Sequence, residues 1–67
     1  LDISPVKFIR MARLNAVRRR LLQGLQEDET IAMVAQHWGV THAGQFTHDY
    51  TELFGENPSM TISRRHN

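Results

Sequence analysis

The sequence predicts an all-α fold organised around a helix-turn-helix, and three observations predict it. Ile31, Val34, Ala35 and Trp38 follow the i, i+3, i+4, i+7 spacing of one helical face. Gly39 interrupts that pattern, and a second stripe follows in Phe46, Tyr50, Leu53 and Phe54. No segment alternates apolar and polar residues with the period of a strand, and no internal repeat or low-complexity tract occurs.

The elements follow in order. Ser4-Pro5 marks a helix start: the serine can cap, and proline fits the first helical position because its missing N–H would have no intrahelical partner there. This helix is expected over residues 5–23. Ile9, Ala16, Val17 and Leu21 can share an inward face, with Phe8, Leu14 and Leu25 at its margins and the arginines over the rest. Gly24 is the expected stop, and residues 26–29 read as a polar loop. Glu29 suits the positive N-terminal dipole of the next helix. Thr30 is placed to cap that helix through its hydroxyl, and Trp38 is expected as a core anchor. Gly39 ends the helix in a left-handed turn. Thr41 is the expected cap of the next helix, and Gly55 its C-terminal stop. Asn57-Pro58-Ser59 opens a last short helix over residues 58–64, packed through Met60 and Ile62, while His66 and Asn67 should fray. From spacing alone the alternative is an ordinary αα-corner within a small helical domain.

Sixty-seven residues make one small domain or part of one. A chain of this size buries only about 60% of the surface it exposes when unfolded, so marginal stability is expected. The absence of cysteine excludes a disulfide framework, a thiolate nucleophile and a cysteine zinc site. Apolar runs are too short for a transmembrane helix, and the N-terminus LDISPVKF has no signal-peptide core. A cytoplasmic location is therefore expected. The missing initiator methionine suggests a fragment of a longer protein.

Net charge is only +1, but its distribution is uneven. Lys7, Arg10, Arg13, Arg18, Arg19 and Arg20 fall in the first part and Arg64 and Arg65 near the end. Glu27, Asp28, Glu29, Asp49, Glu52 and Glu56 occupy the middle, which has no Lys or Arg. This asymmetry suggests a polyanion partner for the basic part. The alternative is a solvated helix face.

Projected at 100° per residue, Ala43, Tyr50, Leu53 and Phe54 fall within about 80° of Phe46 on the core face of the second helix. Gly44, His48 and Thr51 lie opposite, flanked by Gln45, Thr47 and Glu52, with Asp49 at the margin. In a DNA-binding helix-turn-helix this face and the helix N-terminus enter the major groove. Gln45 can pair with adenine N6 and N7, and His48 can donate to guanine or to a phosphate. Thr47 can bond to a phosphate oxygen or touch a thymine methyl. Gly44 leaves room for close backbone approach; otherwise it is a helix defect of about 1 kcal/mol relative to alanine. Thr41 and His42 sit where free backbone N–H groups favour an anion.

These residues also carry a resemblance. The pattern Gly39-Val40-Thr41, Gln45-Phe46, Tyr50, Phe54-Gly55 and Pro58-Ser59 resembles the DNA-binding region of the AraC/XylS family of bacterial transcription regulators. Arg13-Leu14-Asn15-Ala16-Val17-Arg18-Arg19-Arg20-Leu21-Leu22 is similar to the family's linker helix. The resemblance spans essentially the whole chain. It implies a homeodomain-like three-to-four-helix unit following a long linker helix. It further implies that this chain supplies the linker helix and the second helix-turn-helix, without the first unit and without any effector-binding domain. A small-molecule effector would then act only through a domain outside this chain. The implied partner is double-stranded DNA, read through tandem major-groove sites, often with activation through RNA polymerase. The recognition helix would begin at His42, with base-facing positions Ala43, Gly44, Gln45 and His48. Arg13, Arg18, Arg19 and Arg20 are candidate phosphate contacts.

The sequence departs from the family pattern at Ala43 and Gly44, which bear no polar side chain, and at His48, where arginine is common. Val40 replaces the usual aromatic, and Arg20 stands where leucine is frequent. These departures predict that this half contributes mainly phosphate contacts and shape reading. Catalysis is not expected, because no nucleophile-base arrangement, phosphate-cradling glycine loop or carboxylate pair is present. No cofactor is expected. His42 and His48 are spaced off a common helical face, which disfavours a metal site. The rival reading is a protein-interaction module whose acidic centre faces RNA polymerase or another protomer.

Overall fold

The computed structural model describes residues 4–40 and 42–64, and of Ala43 the backbone alone. The expectations for Thr41, Arg65, His66 and Asn67 lie outside the described residues. Four helices follow one another: α1 (Pro5–Leu22), α2 (Ile31–His37), α3 (Ala43–Phe54) and α4 (Pro58–Arg64). No strand occurs among the described residues.

Helix α1 starts as its sequence dictates. The Ser4 hydroxyl accepts the Lys7 N–H at 3.1 Å, and Pro5 opens the first turn. At the other end Gly24 takes a left-handed φ of 87° and its N–H returns to the Leu21 carbonyl. Leu14, Val17 and Leu21 lie on one stripe and are fully buried. That stripe meets Val34 and Ala35 of α2 and Phe46 and Tyr50 of α3 to form the core, with Leu25, Ile31, Val40, Phe54 and Ile62 packed around it.

Two expectations for α1 are corrected. Leu14 is a core residue rather than a marginal one, and Ile9 is not inward: it is 49% exposed, with Phe8 at 63%. The core begins one turn after them. The first turns of α1 extend beyond the packed stripe and border open clefts.

Helix α2 is short and closed at both ends. Thr30 caps it, its hydroxyl accepting the Met33 N–H at 3.1 Å. At the C-terminus Gly39, at φ 83°, donates to Gln36, and Val40 donates to Ala35. This paired closure consumes carbonyls that the last turn would leave bare. Trp38 is not the expected core anchor. It stands at the helix end, 41% exposed, with its ring edge-on to His37 at 5.3 Å.

Helix α3 begins one residue later than expected. Its N-cap is His42, which makes no side-chain capping bond. Phe46, Tyr50 and Phe54 stack edge to face along the inner side, with centroids 5.8 and 4.6 Å apart. Leu53 drifts to the exposed margin of the stripe. Gly55, at φ 74°, ends the helix and donates to Thr51.

Helix α4 is capped by Asn57, whose side-chain oxygen accepts the Met60 N–H. Its packing differs from expectation. Met60 is 49% exposed, and Pro58 and Thr61 are the buried residues. Thr61 is inside because its hydroxyl has partners there. It lies 2.6 Å from the Tyr50 hydroxyl and donates to Glu56 Oε2 at 2.5 Å. Glu56, itself buried, also accepts from Arg64. A hydrogen-bonded chain thus crosses the base of the domain, where burial of these groups without partners would be costly.

Candidate nucleic-acid interface

The inner side of α3 is committed to the core by Phe46 and Tyr50, and its outer side is open. Gly44, Gln45, Thr47, His48, Thr51 and Glu52 are all exposed. The periodicity of the helix therefore presents the expected polar face to solvent. Gly44 has open space around it, with no atom near enough to meet an added Cβ.

The polar residues of this face are arranged in i, i+4 pairs. Gln45 Nε2 donates to Asp49 Oδ1 at 2.9 Å. His48 Nε2 lies 3.2 Å from Glu52 Oε2. Such neighbours are one helical turn apart and meet on the surface. The two acids thus pair locally with Gln45 and His48.

The four candidate arginines separate into two kinds. Arg20 is turned into the domain: Nη1 donates to the Gly24 carbonyl at 2.7 Å and Nη2 to Glu29 Oε1 at 2.5 Å. Glu29 also accepts the Gln26 N–H, so this ion pair organises the loop between α1 and α2. Arg18 lies over the Phe54 ring at 5.2 Å, with its Nε buried and without a hydrogen-bond partner. A guanidinium over an aromatic face is held by the ring quadrupole. Arg13 and Arg19 remain exposed. Arg13 reaches across to the α2–α3 turn, where Nη1 lies 3.4 Å from the Gly39 carbonyl.

Arg13 brings α1 to the N-terminus of α3. Arg10, Arg13, Gly39, His42, Gln45 and Asp49 border one open cleft there. Arg10 was absent from the candidates read in the sequence. Its signal was present, since it precedes Arg13 by three residues and so shares its helical face.

Two ionisable groups beneath this surface are shifted. Hydrogen bonds from Thr61 and Arg64 hold the Glu56 carboxyl below its ordinary value, against its burial. Burial pushes the Tyr50 hydroxyl up, opposed by the Thr61 hydrogen bond and the nearby Arg18 charge. Among the described residues no cluster of three metal-ligating side chains forms, and no helix is long and apolar enough to cross a membrane.

Comparison with known proteins agrees with this geometry. Over residues 1–64 the chain matches the family of helix-turn-helix domains of AraC/XylS type. It belongs to that family. Domains of this family are the DNA-binding parts of transcription regulators, not enzymes. The chain is 32% identical over 62 residues to the probable thc operon regulatory protein of Rhodococcus erythropolis, covering 92% of this chain and 19% of that protein. It is 37% identical over 60 residues to XylDLEGF operon transcriptional activator 2 of Pseudomonas putida, covering 90% and 38%. Against the regulatory protein HrpB of Ralstonia nicotianae it is 33% identical over 64 residues, covering 96% and 13%. No solved structure matches it with significance. The helix-turn-helix domain spans about a fifth of the first of these relatives.

Proposed function

We propose that this chain is a DNA-docking module of a transcription regulator and that it inserts α3 into the major groove. The exposed polar face of α3, held outward by the burial of Phe46 and Tyr50, carries this reading. A helix fixed to the core along one side presents the other as a rigid probe, which is how recognition helices enter the groove. Gly44, Gln45 and His48 then face base edges, and the family resemblance assigns Ala43 to the same set. Thr47 and the N-terminal turn around Thr41 and His42 face the backbone.

Phosphate contact falls to Arg13, Arg19 and Arg10 in this reading. Arg18 and Arg20 have partners inside the domain, and their removal costs packing before it costs binding. The regulator as a whole is proposed to be a bacterial activator of the kind its relatives' names describe. In this scheme an effector acts through another part of the polypeptide.

The test is fluorescence anisotropy of a labelled random duplex at two salt concentrations, after circular dichroism has verified a helical fold. Affinity that falls steeply with salt supports phosphate contact, because bound cations displace condensed counterions. A folded protein that does not bind at either salt, in the fragment and in the intact polypeptide, overturns it.

A second reading has its own observation. Val6, Phe8 and Ile9 on α1 and Met33 and Trp38 on α2 are large apolar residues left exposed. They suit a protein partner, such as RNA polymerase or another protomer, and binding there would show little salt dependence.

A further inference from the structure

We propose that Asp49 is a specificity-determining positioning residue, which fixes the Gln45 amide so that α3 selects adenine. This rests on the reading that α3 enters the major groove. Asp49 itself touches no base in this scheme.

A glutamine side chain has a carbonyl oxygen that accepts and an NH2 that donates, and a free one can present either edge. Gln45 is not free, because a carboxylate oxygen of Asp49 lies 2.9 Å from it. An ionised carboxylate only accepts. The amide must therefore turn Nε2 toward Asp49, and Oε1 is directed away from it. In this scheme the N–H on the far side from Oε1 is spent on Asp49, and the other, beside Oε1, stays free on the outer edge of the amide.

That edge reads one base. A donor and an acceptor side by side match adenine, which offers N7 as acceptor and N6 as donor in the major groove. Guanine offers two acceptors, N7 and O6, which an unrestrained NH2 could serve but which Oε1 opposes. Thymine offers an acceptor and a methyl group, and cytosine only a donor. The bond to Asp49 thus removes the amide orientations that would serve guanine's two acceptors, while thymine O4 can take only one hydrogen bond where adenine takes two. It also sets the side-chain conformation before binding, so less rotamer freedom is lost on contact.

The position of Asp49 fits this role. It sits one turn beyond Gln45, half-buried against the cleft that Arg10 and Arg13 also border. A carboxylate so close to a DNA-facing surface opposes general phosphate binding, so its contribution in this scheme is to selectivity and not to affinity. In this scheme Gln45 reads a base at one position, beside the phosphate and shape reading expected of the rest of the helix.

The experiment uses the intact regulator that contains this chain. Preferred duplexes are selected from a randomised library, and each position of the selected site is then varied through all four bases. Wild type should prefer adenine at one position by about ten- to hundredfold, the range of a good bidentate pair. Gln45→Ala should abolish that preference at that position alone. Asp49→Ala and Asp49→Asn should reduce it to a fewfold while leaving affinity for random duplex equal or higher. Asp49→Glu, which keeps an acceptor-only carboxylate where asparagine could also donate, should retain the preference. A merely structural role for Asp49 would weaken all duplexes alike and would overturn the proposal. So would an adenine preference that survives Asp49→Ala, or guanine at the Gln45-dependent position. Loss of salt-sensitive duplex binding altogether would overturn the groove reading and this proposal with it. Salt-sensitive binding without a Gln45-dependent base overturns this proposal alone.

Discussion

The hydroxyls of Tyr50 and Thr61 lie 2.6 Å apart inside the domain and join α3 to α4. The direction of the bond follows from Glu56. Thr61 donates its one hydroxyl hydrogen to the Glu56 carboxylate, so Tyr50 donates to Thr61. Helix α3 is thereby tied through Tyr50 to α4.

Thr61→Val keeps the shape of the side chain and removes the bridge. It leaves a buried Tyr50 hydroxyl and a buried Glu56 oxygen short of a partner. A loss of about 1–3 kcal/mol is expected, the cost of unsatisfied buried polar groups. Urea denaturation should show a lower midpoint with little change in slope, and Thr61→Ser should recover much of the loss.

The Glu56 carboxyl gives the fold an acid limit. Its folded pKa is depressed, chiefly by the Thr61 and Arg64 hydrogen bonds. Its contribution is therefore fully present above the unfolded value of about 4.3, and it is lost as pH falls through the lower folded value. Thermal melts should be flat in this respect above about pH 5 and fall in more acid solution. Glu56→Gln should be less stable at neutral pH and should flatten that acid slope.

Gly44 offers a separation of stability from binding. It sits within α3, exposed, with open space where a Cβ would go. Gly44→Ala should stabilise the domain by about 1 kcal/mol through helix propensity alone. If the backbone there approaches DNA closely, the same methyl should weaken duplex binding. Higher melting temperature with lower affinity supports a functional glycine, and higher melting temperature with unchanged affinity marks it as a simple helix defect.

The arginines should divide in the same way. Arg13→Ala and Arg19→Ala should leave the melting temperature nearly unchanged, weaken binding to all sequences alike and lower the salt slope by about 1 each. Arg20→Ala should lower the melting temperature, because the Gly24 carbonyl and Glu29 lose a shared partner. Its effect on the salt slope should be small. Parallel titrations over a salt series check both.

The sequence alone foretold four helices and most of their stop and start signals, because those depend on near neighbours, although α1 ends and α3 begins one residue away from the expected positions. Ser4, Thr30 and Asn57 cap through residues three positions on, and Gly24, Gly39 and Gly55 supply the positive φ that closes a helix. The outward face of α3 was equally legible, since 3.6-residue periodicity fixes it once Phe46 and Tyr50 are inside. Tertiary structure decided which side chains the rest of the chain actually covers. Ile9 and Trp38 look like core by spacing yet are exposed, because among the described residues no element packs over the first turns of α1 or the end of α2. Thr61 looks like surface yet is buried, because Tyr50 and Glu56 arrive from other segments to satisfy it. The arginines show the same limit: their charge is written in the sequence, but whether it faces solvent, Glu29 or the Phe54 ring is set by contacts across the fold.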